Sequence, residues 1–183
     1  MSLSDAKAHL SEVAEEIDRT HERVLVTKNG RDYVVVMSAA DLEAIEATLE
    51  LLADPAAQER IAHGRREIDD GLAMDRGTIV RIVRSAGGHQ PDHPLNYRVI
   101  VAPSAARRLA ERLPESVAAA CVEFIFGPLS ENPLRVGVAL LPPFAGQWRA
   151  QRGEYRVRYT IDDDHQEVLV LDVDHRRDAY RRP

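Results

Sequence analysis

Arg149, Arg152, Arg156 and Arg158 lie within ten residues, and Arg176, Arg177, Arg181 and Arg182 within seven. In the stretch RGEYRVRY, Arg152 to Tyr159, period-two spacing puts Tyr155, Val157 and Tyr159 on one side of an extended chain. Arg156 and Arg158 fall on the other. A row of guanidinium groups on a strand needs an anion. A carboxylate inside the protein, such as Glu154 or Asp162 to Asp164, accounts for one or two of these arginines. Phosphates brought by a partner account better for two clusters, because the guanidinium fork grips phosphate bidentately. Nothing else in the chain offers rival chemistry. The histidines are scattered at no ligand spacing, and Cys121 lies alone on an apolar helix face, where it reads as core. No glycine-rich phosphate loop occurs. The expectation is phosphate chemistry with no metal and no cofactor.

The elements that must position these groups fall into two modules. The chain has 183 residues, 44% apolar and 30% charged, as expected of a folded protein. Residues 1–85 carry 17 acidic and 11 basic residues, whereas residues 86–183 carry 13 of each. An acidic part is therefore followed by one with bunched arginine. The only lysines are Lys7 and Lys28. A single cysteine, no apolar run of spanning length and no signal peptide fit a cytoplasmic protein. The stretch SAGGHQPDHPLN reads as a linker, over residues 85–96.

Before that linker, helical spacing covers Ser4 to Asp18. Two β-branched runs follow around Asn29-Gly30, a hairpin signal. A helix with apolar Leu42, Ile45, Leu49 and Leu52 comes next, then a sparse amphipathic stretch over 55–84. So few apolar anchors bury little surface alone, so this stretch needs something to lie on. After the linker, a strand over 97–101, helices over 103–112 and 114–126, and strands near 147–152, 154–161 and 166–173 give an α+β domain. Two helices pack on an antiparallel sheet.

The segments LSDAKAHLSEV, ERVLVTKNGR and YVVVMSAADLEAIEATLELL resemble the Phd/YefM (RelB-type) antitoxin family. That resemblance implies an α/β DNA-binding and dimerisation domain over 1–54 and a toxin-neutralising helical segment over 55–84. It implies a homodimer on operator DNA. Lys7, Lys28 and Arg31 match the basic positions that contact DNA. Long cations on a first helix and at a hairpin tip suit phosphates. Ile61, Ile68, Leu72 and Ile79 form the expected neutralising stripe, with Glu67 and Asp70 as its acids.

The segment from LPPFAGQWRAQRGEYRVRY to LDVDHRRDAY resembles the RelE branch of the RelE/ParE toxin superfamily. This implies a domain over 97–183 that cleaves mRNA on the ribosome. On that resemblance Arg156 and Arg176 stabilise the transition state, Tyr180 acts near the 2′-hydroxyl or stacks on a base, and Arg149 stands where the branch often has a catalytic lysine. Arg152, Arg158 and Arg177 are the expected RNA-binding companions. RNA is cut without metal when its own 2′-hydroxyl attacks phosphorus; the protein aligns the attack, moves protons and stabilises the phosphorane. The proton acceptor stays open. Arginine is never a base at these pH values, Gln151 replaces a second lysine of some relatives, and His175 is a lesser candidate with a fitting intrinsic pKa. Trp148 reads as a core residue before it reads as a base stacker.

A toxin and its antitoxin in one chain imply self-neutralisation, within one chain or swapped across a dimer. Residues 55–84 then lie on the toxin domain, and Glu67, Asp69, Asp70 or Asp75 approach the arginines. Two other readings stay open: a DNA-binding autorepressor with a degenerate, inactive toxin domain, and the ParE branch, which targets gyrase. Arg156, Arg176 and Tyr180 together argue against the latter.

Overall fold

The computed structural model describes residues 1–83 and 97–175, and two compact units divide the chain after Glu46.

The first unit begins with α1 (Leu3–Ala8) and α2 (Leu10–Thr20). The apolar positions Leu3, Ala6, Leu10, Val13 and Ile17 form a stripe that predicts one helix here; His9 breaks it, at φ −121° and ψ 26°. The break separates the only two residues of the stripe that end up buried, Ala6 and Ile17, and leaves Leu10 exposed. Ser2 caps α1 by accepting from Asp5 N–H at 3.1 Å. Ser2 also bridges Thr27 in parallel, so the chain start adds to β1 (Val24–Lys28). β1 pairs antiparallel with β2 (Arg31–Val36). Asn29 and Gly30 turn between them with φ 53° and 74°, the left-handed pair a tight hairpin requires. Helix α3 (Ala39–Leu52) then starts at Ser38, whose hydroxyl accepts from Asp41 N–H at 3.0 Å. His21 faces Asp41 at 3.3 Å.

The last turns of α3 belong to the second unit. Next come α4 (Pro55–Asp69), capped by Asp54, and α5 (Arg76–Ile82), capped by Asp75. The stretch expected as a linker, residues 85–96, lies outside the described residues. Beyond it, β3 (Arg98–Val101) leads into α6 (Pro103–Glu111) and α7 (Glu115–Phe126). Two proline-started turns, α8 (Pro128–Glu131) and α9 (Pro133–Val136), carry the chain into β4 (Gly137–Ala139). The meander β5 (Gln147–Arg152), β6 (Tyr155–Asp162) and β7 (Glu167–His175) closes the described chain.

The sheet order is β3-β7-β6-β5-β4. The meander is antiparallel as the sequence predicts, and β3 joins β7 in parallel. Both faces are covered. One core packs α5, α6 and α7 against Val157, Tyr159, Val168, Val170 and Val173. A second packs Ala47 and Leu51 of α3 and Ala57 and Ile61 of α4 against Leu140, Leu169 and Leu171. This sandwiching explains why Tyr155 to Tyr159 are all buried although the sequence alternates. The described part of the amphipathic stretch, residues 55–83, does have something to lie on. Met74 also exchanges two backbone hydrogen bonds with Val101, at 2.9 and 3.0 Å, along the outer edge of β3.

Candidate active site

The register of the meander builds the site. Arg149 of β5 stands opposite Arg158 of β6, and Gln151 opposite Arg156. On the other side of β6, Arg158 stands opposite Asp172 of β7, and Arg156 opposite Asp174. Three arginines and two aspartates thus share one face of the sheet.

Arg149, Arg156 and Arg158 are each about 5% exposed or less, an environment where guanidinium groups are rare unless paired. All three converge on the carboxylate of Glu50, from the last turns of α3. Arg149 Nη1 donates to Glu50 Oε2 at 3.0 Å. Arg156 Nη1 is in close ion contact with Oε1 without hydrogen-bond alignment, and Arg158 Nη2 lies 3.5 Å from the same oxygen. Arg156 Nε and both Nε and Nη1 of Arg158 are buried with no hydrogen-bond partner. One carboxylate therefore faces a surplus of positive charge and of donors. Burial lowers the pKa of Arg158, Glu50 and Asp172 oppose that, and Arg156 and Arg149 add to it.

A second ionic cluster adjoins the first. Arg60 of α4 donates Nε to Asp172 Oδ2 and Nη2 to Asp174 Oδ2, both at 3.1 Å. Arg108 of α6 donates Nη2 to Asp174 Oδ1 at 2.9 Å and Nε to the Val173 carbonyl at 3.0 Å. Further along α4, Glu67 accepts from Ser104 N–H at the start of α6, at 2.8 Å, and from Arg107 at 3.2 Å. Between these anchors, Gly64 lets α4 approach β7 closely. A Cβ there would lie 2.3 Å from the Leu171 carbonyl oxygen.

The acids expected at the arginine site do not reach it. Glu67 binds α6, Asp69 pairs with Arg65 on its own helix, Asp70 is the exposed C-cap of α4, and Asp75 caps α5. Glu50 takes that place instead. Of the neutralising stripe, Ile61 and Ile79 are buried and Ile68 packs against the core, but Leu72 is 57% exposed because the chain turns away from the sheet at Gly71. Arg152 points elsewhere, with its guanidinium 5.8 Å from the ring of Phe124. His175 ends β7 opposite Tyr155. Arg176, Arg177 and Tyr180 lie outside the described residues. Trp148 stacks on Tyr159, centroids 6.4 Å apart, and Cys121 is core, its thiol pushed up to about 12 by burial. Among the described residues no group of His, Cys, Asp and Glu is placed to hold a metal ion.

In the first unit, Lys28 and Arg31 flank the hairpin turn as cross-strand partners, Lys28 reaching over the Tyr33 ring at 5.2 Å. Lys7 is exposed in the last turn of α1.

Sequence reasoning missed Glu50, Arg60, Arg108 and Gly64. For Asp172 and Asp174 a signal existed: two acids spaced by two in the otherwise apolar run VLVLDVD.

Comparison with known proteins separates two halves of the chain, at a place other than the division between the compact units. Residues 1–71 match the family described as antitoxin Phd_YefM, type II toxin-antitoxin system. Residues 102–180 match the ParE toxin of type II toxin-antitoxin system, parDE. The Mycobacterium tuberculosis protein named Toxin RelE is 50% identical over 90 residues, 49% of this chain and 90% of that protein. Antitoxin RelB of the same organism is 41% identical over 77 residues, 42% of this chain and 86% of that protein. Among solved structures, the M. tuberculosis toxin-antitoxin complex RelBE2 aligns with 49% identity and a TM-score of 0.43, over 44% of this chain and 99% of that one.

Proposed function

The chain belongs to the type II toxin–antitoxin families, a Phd/YefM antitoxin and a RelE/ParE toxin in one polypeptide, and on that premise we propose a self-neutralised, ribosome-dependent mRNA endoribonuclease. One observation carries the reading: three buried arginines of the toxin sheet close on a single carboxylate, Glu50, supplied by the antitoxin half. A carboxylate has two oxygens and a diffuse negative charge, as a phosphodiester has. Glu50 stands where the scissile phosphate belongs, and Arg156 and Arg158 would bear the phosphorane charge once it leaves. Losing one such donor costs about 10²–10³ in rate in comparable oxyanion sites. Arg176 and Tyr180 complete the site on this reading.

The tether makes inhibition intramolecular, at an effective concentration on the order of millimolar for short linkers. The antitoxin half binds operator DNA through Lys7, Lys28 and Arg31 as a homodimer and represses its own transcription. Both activities belong to the cytoplasm, and no described helix is long and apolar enough to cross a membrane.

The test is expression of residues 86–183 with and without residues 1–85, beside the whole chain. The fragment alone arrests translation and cuts ribosome-bound mRNA; the whole chain does neither. A fragment that leaves that mRNA intact, with gel shift of upstream DNA by the whole chain, supports the autorepressor with a degenerate toxin domain instead. DNA damage in place of translation arrest supports the ParE branch.

A further inference from the structure

The nuclease reading leaves one role unassigned: something must take the proton from the attacking 2′-hydroxyl. We propose that Asp172, paired with Asp174, is that proton acceptor, and that Arg60 holds it out of action while α4 is docked. The proposal rests on the nuclease reading above.

Position comes first. Asp172 is the cross-strand partner of Arg158, and Asp174 of Arg156, so the acids lie beside the arginines that would hold the phosphate. Asp172 also lines a cleft of about 830 Å³ between α4 and α6, which lifting α4 would widen.

The two aspartates also divide their partners. Each aspartate gives one oxygen to Arg60 and turns the other toward Arg108. Arg108 belongs to the toxin fold and is fixed by the Val173 carbonyl, so it remains. Arg60 belongs to the antitoxin half and departs with it. Asp174 then keeps its 2.9 Å bond to Arg108, whereas Asp172 keeps a 3.5 Å contact with Arg108 and its place opposite Arg158. Two carboxylates sharing one guanidinium cannot both stay fully ionised at ease, and the less well held one gains proton affinity.

The charged groups facing Asp172 are Arg60 from α4, Arg108 from α6, Arg158 from β6 and Asp174 on its own strand. Burial already raises its pKa, with Arg60 and Arg108 opposing and Asp174 adding to the rise. Departure of α4 removes Arg60, one of the opposing charges, and also part of the burial, so the two changes act in opposite senses and the position of Asp172 beside the arginines carries the assignment. An ionised carboxylate beside arginines that hold the phosphate is suited to general-base work.

The step balances. Asp172 takes the 2′-hydroxyl proton as the O2′–P bond forms. The P–O5′ bond breaks, the 5′-oxygen takes a proton from water, and the hydroxide so formed recovers the proton from Asp172. The products are a 2′,3′-cyclic phosphate and a 5′-hydroxyl.

The experiment keeps the full chain and unplugs it with E50R and R60A together. Cleavage of ribosome-bound mRNA is followed from pH 5 to 9, as a function of substrate, for this chain and for the same chain with D172N or D172E. The expected result is cleavage by the unplugged chain, at least a hundredfold lower kcat with KM within twofold on adding D172N, and loss of the acid limb of the pH profile. D172E restores part of the rate. Affinity for ribosomes carrying mRNA with a 2′-deoxy residue at the cleavage point stays unchanged in D172N. Cleavage by the D172N chain within threefold, with the same pH profile, overturns the assignment and leaves the nuclease reading standing. A D172N chain that also loses affinity for the 2′-deoxy mRNA makes Asp172 structural and overturns it too. An unplugged chain that cuts nothing, beside a fragment 86–183 that also cuts nothing, removes the nuclease reading, and the assignment with it.

Discussion

Replacing Gly64 by alanine sets two well-understood effects against each other. Gly64 lies inside α4, where alanine is the better helix former by about 1 kcal/mol. Helix propensity alone therefore predicts a firmer α4. The packing predicts the reverse. The new Cβ would meet the Leu171 carbonyl oxygen at 2.3 Å, the Leu171 carbonyl carbon at 3.1 Å and Ala102 Cβ at 3.2 Å. A relaxed carbon–oxygen contact needs roughly 3.3 Å, so α4 must retreat by about 1 Å from backbone that cannot rotate away. Leu171 is the extra residue of a bulge, where β7 sets two residues against one of β6, and it is flanked by the paired residues Val170 and Asp172. A retreat of that size strains the 3.1 Å bonds from Arg60 and opens the contacts of Ile61 and Ala57.

Overpacking of this kind costs about 1–3 kcal/mol, which leaves α4 less firmly docked by about 0–2 kcal/mol after the propensity gain. Native-state hydrogen exchange reads this directly, because amides of α4 open locally before the sheet does. G64A is expected to raise their exchange roughly tenfold while amides of β6 stay protected. Slower exchange in α4 of G64A would show that propensity outweighs packing, and that the close approach of helix to strand is not what seats the antitoxin half.

Two further outcomes follow from single contacts. Tyr159 is fully buried and donates to the Pro133 carbonyl at 2.6 Å, so Y159F leaves that acceptor unpaired and lowers stability by about 1–2 kcal/mol in urea unfolding. Asp75 accepts from Thr78 N–H at 2.9 Å, and this bond draws its pKa below the ordinary 3.8. A lowered carboxylate pKa gives stability that is complete above the unfolded value and is lost as pH falls through the folded one, so α5 frays first on acidification below about pH 4. Amide protection of α5 between pH 5 and 2 checks it, and D75N removes the dependence.

What the sequence yielded, and what it hid, follows from how far each signal reaches. The hairpin was legible because Asn29-Gly30 carries its own turn chemistry, and the meander because apolar and polar residues alternate around local turns. The arginines were legible as a cluster because three of them sit on neighbouring strands joined by a tight turn. Their partner was not. Glu50 is 99 residues from Arg149 in the chain, one acid among 17 in the first 85 residues, and nothing local distinguishes it from Glu43 or Glu46. The acids nearest the apolar stripe of α4 looked better placed, yet helix phase turns Glu67 toward α6 and leaves Asp70 at an exposed end. The strand β4 escaped notice because three residues, Gly137 to Ala139, carry no period. The break at His9 escaped because the stripe it interrupts continues in register on paper.

The central claim is that the Glu50 carboxylate occupies the place of a phosphate. It is tested most directly by binding rather than by cleavage. A short 2′-O-methyl RNA, which the 2′-hydroxyl mechanism cannot cut, is titrated into the full chain and into E50A at low and moderate salt. The account predicts salt-dependent binding by E50A at least tenfold tighter than by the unaltered chain, lost again on adding R156A. Equal affinity of E50A and the unaltered chain for this RNA would contradict it.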